Sequence, residues 1–343
     1  MRRLRYLLGK AAWASATVLF VITLNFFLFR VLPGDPARAG IHDPRLKKET
    51  IEAIRVRFGL DKPVINCFES LNPLKLGSCV VNPLETQFFI YAHNLVQGEL
   101  GFSYHTNRPV KDMLSERLWN TILLIGAGQI ISIIIGMAAG AVAAWKARST
   151  IDYVALITSL LAWSLPTFWL GIILLFWGSQ QAGLPVGGRI TPGVDFASFW
   201  EQALDIGRHL LLPTITYTIV FMGEYMLVMR STLVEVLSQD YILTAKAKGL
   251  NRFQILKDHA LKNAMLPMVT IIALNLGFTV AGALQIETVF SWPGLGAAIY
   301  ESVQRRDYPM LQGAFLLIAV CVILANLLAE LTYSLLDPRV QAE

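Results

Sequence analysis

The residues of this chain whose types and spacing invite work lie in one polar stretch between two apolar runs. It reads Asp240-Tyr241-Ile242-Leu243-Thr244-Ala245-Lys246-Ala247-Lys248-Gly249-Leu250, then continues through Asn251 and His259 to Pro267. Tyr241, Ala245 and Lys248 fall at helical spacing on one face. Thr244, Ala245 and Ala247 are small enough for a neighbouring protein to come close. Gly249 tolerates the left-handed dihedrals that end a helix, and Asn251 can cap a second one. In that second helix Phe253, Leu256, Ala260 and Ala264 recur at roughly helical intervals. The expected unit is helix, glycine break, helix, and its chemistry is mechanical: a knob that fits a partner's socket and passes on its motion. An amphipathic hairpin lying among lipid headgroups is the other reading, and Arg252, Lys257 and Lys262 suit it.

Covalent chemistry has little support. The five histidines, His42, His93, His105, His209 and His259, are dispersed. There is no His-Glu-x-x-His and no Gly-x-Ser-x-Gly. Paired Cys-x-x-Cys spacing is absent, as is the Gly-x-x-x-x-Gly-Lys-Ser/Thr loop that cradles phosphates. No catalytic, cofactor or metal site is therefore expected. Cys321 sits in an apolar run as a packing residue. Cys67 and Cys79 share a polar loop; outside the cytoplasm they can form a disulfide, and two free thiols is the alternative.

Glu224 and Glu330 fall inside apolar runs, where a charge costs about 2.5–3.5 kcal/mol at a helix centre. Each must face protein or water, or reach toward the headgroups. For Glu224 the plain reading is a pair with Arg230 or another basic residue, and contact with a transported solute is the alternative. Asn275, Gln285 and Asn326 can bond between helices or line a path. Trp163, Pro166 and Trp169 suggest a bend with packing aromatics.

Membrane spans must position these residues. Of the 343 residues 55% are hydrophobic and 15% charged, against about 25% charged in soluble domains. About 20 apolar residues cross a bilayer core, and six segments qualify: Ala11–Val31, Thr121–Trp145, Tyr153–Trp177, Leu210–Met229, Leu266–Ile286 and Gly313–Leu336. If they alternate, Arg2, Arg3, Arg5, Lys10, Lys146, Arg148, Arg230 and the basic residues of the knob fall on one side. That side is then cytoplasmic, with both termini there. The net charge of +5 follows from this bias, and nucleic-acid binding is not expected. The first span is too long for the 7–15-residue core of a signal peptide, so it reads as an uncleaved anchor. Gly136 with Gly140, and Gly277 with Ala281, form small-xxx-small pairs for close helix packing.

The expected organisation is an anchor over residues 1–32, an extracytoplasmic segment over 33–117, and a transmembrane core over 118–343 carrying the knob at 230–266. The outer segment has its own helix signals. Asp43-Pro44 opens one helix, Ile51, Ile54 and Phe58 share its face, and Gly59 ends it. Asn82-Pro83 opens another, with Phe88, Ala92 and Leu95 on one face and Gly98 as its stop.

With these motifs in view, the whole chain resembles the permease subunits of ATP-binding cassette importers, in the dipeptide, oligopeptide and nickel branch. Leu32-Pro33-Gly34-Asp35-Pro36, Phe58-Gly59-Leu60-Asp61-Lys62-Pro63 and Gly98-Glu99-Leu100-Gly101-Phe102-Ser103 carry the first half of the likeness. The Arg230–Pro267 stretch, Thr288-Val289-Phe290-Ser291-Trp292-Pro293-Gly294-Leu295-Gly296 and Asp337-Pro338-Arg339 carry the second. The resemblance implies an all-α membrane protein: six transmembrane helices in a type I importer bundle, with a long helical outer loop after the first. It implies that Asp240, Tyr241, Thr244, Ala245, Ala247, Lys248 and Gly249 form a coupling helix seated in a groove of a separate ATPase. The family's loop commonly begins Glu-Ala-Ala; here Leu243-Thr244-Ala245 stands there. Residues 66–82 look like an insertion. The implied partners are a second permease, two ATPase subunits, an extracytoplasmic substrate-binding protein and the bilayer of a bacterial inner membrane. Peptides are the implied cargo; nickel or another small solute is the alternative. A secondary transporter is the first rival, but no internal repeat is visible. An intramembrane enzyme and a purely structural membrane protein are further rivals.

Overall fold

The computed structural model describes residues 2–31, 86–279 and 284–336, all helical apart from turns, loops and one isolated bridge between Phe102 and Pro109. Among the described residues, four helices are long and apolar enough to cross a membrane, over Gly9–Phe29, Val110–Trp145, Phe199–Leu237 and Tyr308–Leu328. A fifth crossing is reached if Thr150–Ser164 and Thr167–Ala182 count as one, and these meet at 97°. The segment of the third expected span is thus a sharply bent helix pair, a broken span or a re-entrant loop. The bend sits at Leu165-Pro166, where the residue before proline is driven out of the α region and Leu165 has ψ 132°. The aromatics beside it are partly covered: Trp163 and Trp169 are both about half exposed, and Trp163 lies against Gly223 of the neighbouring helix. The expected span Leu266–Ile286 falls on two helices, with residues 280–283 between them outside the described set.

The contacts group into two compact units. The larger is built on Leu118–Ala297. It contains most of α3 (Val110–Trp145), then α4 (Thr150–Ser164), α5 (Thr167–Ala182) and the 39-residue α6 (Phe199–Leu237). After these come α7 (Asp240–Ala247), a helical turn Arg252–Gln254, a π-helix Ile255–Ala260, α8 (Leu261–Thr279) and α9 (Leu284–Val289). The hub is α6, which packs against α4, α5 and α8.

Glycine sets how closely these helices meet. A Cβ at Gly136 would lie 2.5 Å from the Met222 carbonyl oxygen, and one at Gly140 2.6 Å from that of Met226. Both glycines of the expected pair therefore press α3 directly onto the backbone of α6, the contact that lipid cannot drive by hydrophobicity. Gly223 admits α4 in the same way, with the Ser159 carbonyl 2.6 Å from its would-be Cβ. The Gly277–Ala281 pair lies outside the described side chains. Pro267, expected at the mouth of a span, sits inside α8.

The smaller unit joins parts of Leu8–Arg117 and Ala298–Val320. It contains most of α1 (Arg2–Val31), α2 (Gln87–Val96) and the first part of α11 (Tyr308–Leu336), with α10 (Leu295–Arg305) ending in it. Phe88 of α2 meets Phe26 edge-on at a 5.3 Å centroid distance. The cap of α2 is Thr86, whose side chain accepts from the Phe89 N–H, and Gly98 follows it at φ 75°. The other expected features of the outer segment, including Asp43-Pro44, Gly59, Asn82-Pro83, Cys67, Cys79 and residues 66–82, lie outside the described residues. So do Leu32–Pro36, Phe58–Pro63 and Asp337–Arg339.

Candidate functional site

Local chemistry explains each joint of the knob. Ser238 ends α6, its hydroxyl donating to the Glu235 carbonyl at 2.6 Å. Helix α7 then ends in the paired bonds of a glycine C-cap: Gly249 N–H to Lys246 O at 3.0 Å and Leu250 N–H to Ala245 O at 3.3 Å. That geometry requires a left-handed residue, and Gly249 supplies φ 78°. Asn251 caps the next turn in both directions, accepting from Gln254 N–H at 2.8 Å while its own N–H donates to the Gln254 side chain at 3.0 Å. The continuation is a wide π turn, where an ordinary α-helix was expected.

The inner side of the knob is continuous with the core. Ile242, Ala245, Ile255, Ala260 and Ala264 are buried with Tyr225, Met229, Leu233 and Met268. The Asn263 amide also donates to the Tyr241 hydroxyl at 2.8 Å. Packed side chains therefore join α7 to α6 and α8. The outer side presents Asp240, Tyr241, Thr244, Ala247, Lys248 and Gly249.

Ala245 is 4% exposed and packs inward. Two large apolar side chains are exposed on the outer side. Leu243 is 67% exposed and Phe253, expected on a packed face, is 64% exposed. Periodicity alone placed Phe253 inward, and the π turn after it rotates the packed face onto Ile255 and Ala260. A cleft of about 450 Å³ lies beside the knob, lined by Trp145, Leu237, Lys246, Leu250, Arg252, Ile255 and Leu256.

Behind the knob, Arg230 is clamped. Its Nε and Nη2 donate to the two oxygens of Asp152 at 2.5 and 2.8 Å, and the Arg148 N–H also donates to Asp152 at 2.8 Å. The Asp152 side chain is 1% exposed. Of the expected partners for Glu224, Arg230 is thereby ruled out. Asp152 begins α4, so its register with Arg230 is set by the packing of α4 on α6, which spacing does not reveal.

Glu224 belongs instead to a chain of hydrogen bonds among spans. The Asn275 amide donates to Glu224 Oε2 at 3.1 Å and to the Tyr225 hydroxyl at 2.9 Å. Gln129 donates to Tyr225, and its carbonyl accepts from the Tyr217 hydroxyl at 2.6 Å. Asn275 thus bonds between helices, one of its two expected roles. Gln285 and Asn326 are exposed, and the Glu330 side chain lies outside the described set.

A second buried carboxylate, Glu287, went unnoticed in sequence because it precedes the Thr288–Gly296 motif by one residue. It accepts from the Thr121 hydroxyl at 2.7 Å and from the Ala297 N–H at 2.8 Å. Thr121 in turn accepts from the Leu295 N–H at 2.7 Å. The Trp292 indole donates to Asn120 O, and the Asn120 amide to Pro293 O, both at 2.9 Å. These bonds clasp the motif onto α3 and satisfy donors at the start of α10. In the smaller unit Asp307 plays a comparable part, accepting from the Ser103 hydroxyl at 2.5 Å and the Tyr104 N–H at 3.1 Å. Among the described residues no group of three or more His, Cys, Asp or Glu could hold a metal ion.

Comparison with known proteins adds an independent line. The family model described as "Binding-protein-dependent transport system inner membrane component" matches residues 86–342, and a companion model for the N-terminal part of such membrane components matches residues 3–125. A peptide permease protein of Brucella suis biovar 1 (strain 1330) is 36% identical over 341 residues, covering 98% of this chain and 99% of that protein. The dipeptide transport system permease protein DppB of Escherichia coli (strain K12) is 33% identical over 355 residues, covering 98% and 99%. A chain of the methionine ABC transporter MetNI, solved in inward-facing conformations, shares the fold at a TM-score of 0.52 and 14% identity. That alignment covers 66% of this chain and 96% of the other.

Proposed function

We propose, for a chain that belongs to the family of binding-protein-dependent transport system inner membrane components, that it forms half of an ATP-driven import path for peptides. It is a multi-pass membrane protein and the permease subunit of an ABC importer. Hydrolysis belongs to partner subunits: the sequence holds no phosphate loop, and the knob offers those partners a handle. Peptide cargo is favoured over nickel or another small solute by the names of the relatives.

The observation that carries the mechanism is the two-sidedness of α7. One side is fused into the core with α6 and α8, while the other exposes Tyr241, Leu243 and, beyond Gly249, Phe253. ATP binding closes an ATPase pair, the sockets move, and the knobs of two permeases carry their bundles from inward-open to outward-open. A receptor then releases peptide into the path, and hydrolysis resets the cycle. Such a shift requires ATP to interact differently with the two arrangements. In this reading Asp240, Tyr241, Thr244, Ala247, Lys248 and Gly249 meet the ATPase. Both termini are cytoplasmic in a bacterial inner membrane, and residues 33–117 face outward toward the receptor.

Purification of a tagged chain from its own membrane tests this. An ATPase and a second permease should accompany it, and the reconstituted complex should take up dipeptide only with ATP inside. Uptake by this chain alone, driven by an ion gradient, would overturn the reading.

A further inference from the structure

We infer that the Glu224 carboxylate is a subsite for a cationic ammonium group of the transported solute, the free amino terminus when the solute is a peptide. The inference rests on the importer reading above and names what one intramembrane position recognises.

Glu224 lies in the apolar helix α6, where an ionisable side chain that faced lipid would be strongly disfavoured. It is half-buried, so part of it is open in this chain. That open part faces either the transport path or a protein neighbour. Among the described residues its one hydrogen bond is the 3.1 Å bond from Asn275 to Oε2, and none of them donates to Oε1. The one Asn275 nitrogen also reaches the Tyr225 hydroxyl, and Tyr225 is held by Gln129. Among the described residues the carboxylate is therefore aimed by neutral groups, and no cation pairs with it.

The nearest cation along the same helix is committed elsewhere. Arg230 gives both its forked donors to Asp152. A positioned carboxylate with no counter-charge and an open acceptor oxygen among the described residues is complementary to an N–H-rich cation, and a primary ammonium with three donors fits one open oxygen. One turn back, Phe221 stacks on Tyr217 at 4.2 Å. The positions 217, 221 and 224 share a helix face, so an aromatic surface, itself attractive to cations, adjoins the acid.

The test uses the whole complex, with its ATPase and receptor, in proteoliposomes. The wild type should transport a dipeptide at least tenfold faster than its N-acetylated form at equal receptor occupancy. E224Q should lose at least tenfold in dipeptide transport and most of that discrimination, and E224D should recover part of both. In a second arm, E224C in a background with Cys67, Cys79 and Cys321 changed to serine is exposed to methanethiosulfonates. A small hydrophilic reagent should label it, either without nucleotide or with the trapped nucleotide.

Unchanged discrimination in E224Q overturns the inference. So does an E224C that resists labelling in both states, or an E224Q complex that falls apart and is rescued by removing a basic residue of the second permease. A wild-type complex that moves no dipeptide would instead sink the peptide reading, and the ammonium assignment with it; labelling of E224C would still report whether position 224 meets water.

Discussion

The carboxylate of Glu287 fills the space that a side chain at position 294 would need: a Cβ built on Gly294 falls well inside van der Waals contact with it. Glu287 is wholly buried and bonded to Thr121 and Ala297, so it cannot yield without breaking both bonds. Gly294→Ala should therefore cost about 3 kcal/mol, the scale of a disrupted buried charged contact. The thermal unfolding midpoint of the purified complex checks this. A midpoint equal to that of wild type would mean that the clasp over the Thr288–Gly296 motif is dispensable.

The Arg230–Asp152 clamp should be severe to break and only partly reversible. Asp152→Asn leaves a half-buried guanidinium short of a partner, a loss of about 3–5 kcal/mol for a buried pair. The exchange Asp152→Arg with Arg230→Asp should recover only part, because the Arg148 N–H also needs the acid at 152. A double-mutant cycle on thermal unfolding measures the remainder; full recovery would show that the Arg148 bond contributes nothing.

At Gly136 two effects oppose, and magnitude decides. In a helix interior alanine is favoured over glycine by about 1 kcal/mol. Here the added methyl must push aside the Met222 carbonyl and the Tyr225 side chain, and such overpacking costs about 1–3 kcal/mol. Gly136→Ala should be net destabilising, while Gly126→Ala, with open space around it, should be neutral or stabilising. Parallel unfolding curves for the two variants separate packing from propensity.

Gly249 tests the mechanical reading. A Cβ there meets open space, so any penalty comes from φ 78° and amounts to about 1–2 kcal/mol. Gly249→Val should leave the complex assembled but reorient the exposed face of α7 relative to Phe253. ATP hydrolysis should continue while peptide uptake falls several-fold. A variant whose uptake and hydrolysis keep their normal ratio would remove the coupling role of this loop.

What the sequence determined by itself is whatever depends on near neighbours or on composition. Apolar length marked spans, Gly249 and Asn251 marked the break and restart of the knob, and the Gly136–Gly140 spacing marked a close helix contact. Each follows from backbone sterics, capping or bilayer thickness, which act within a few residues. The tertiary structure alone decided which polar groups meet. It joined Asp152 to Arg230, Asn275 to Glu224 and Thr121 to Glu287, turned Ala245 inward and turned Phe253 outward. Periodicity fixes which residues share a face, but the rotation of one helix against the next fixes what that face touches. In this chain that rotation is set by glycines, a proline bend and a π turn, whose effects appear only once the helices are packed.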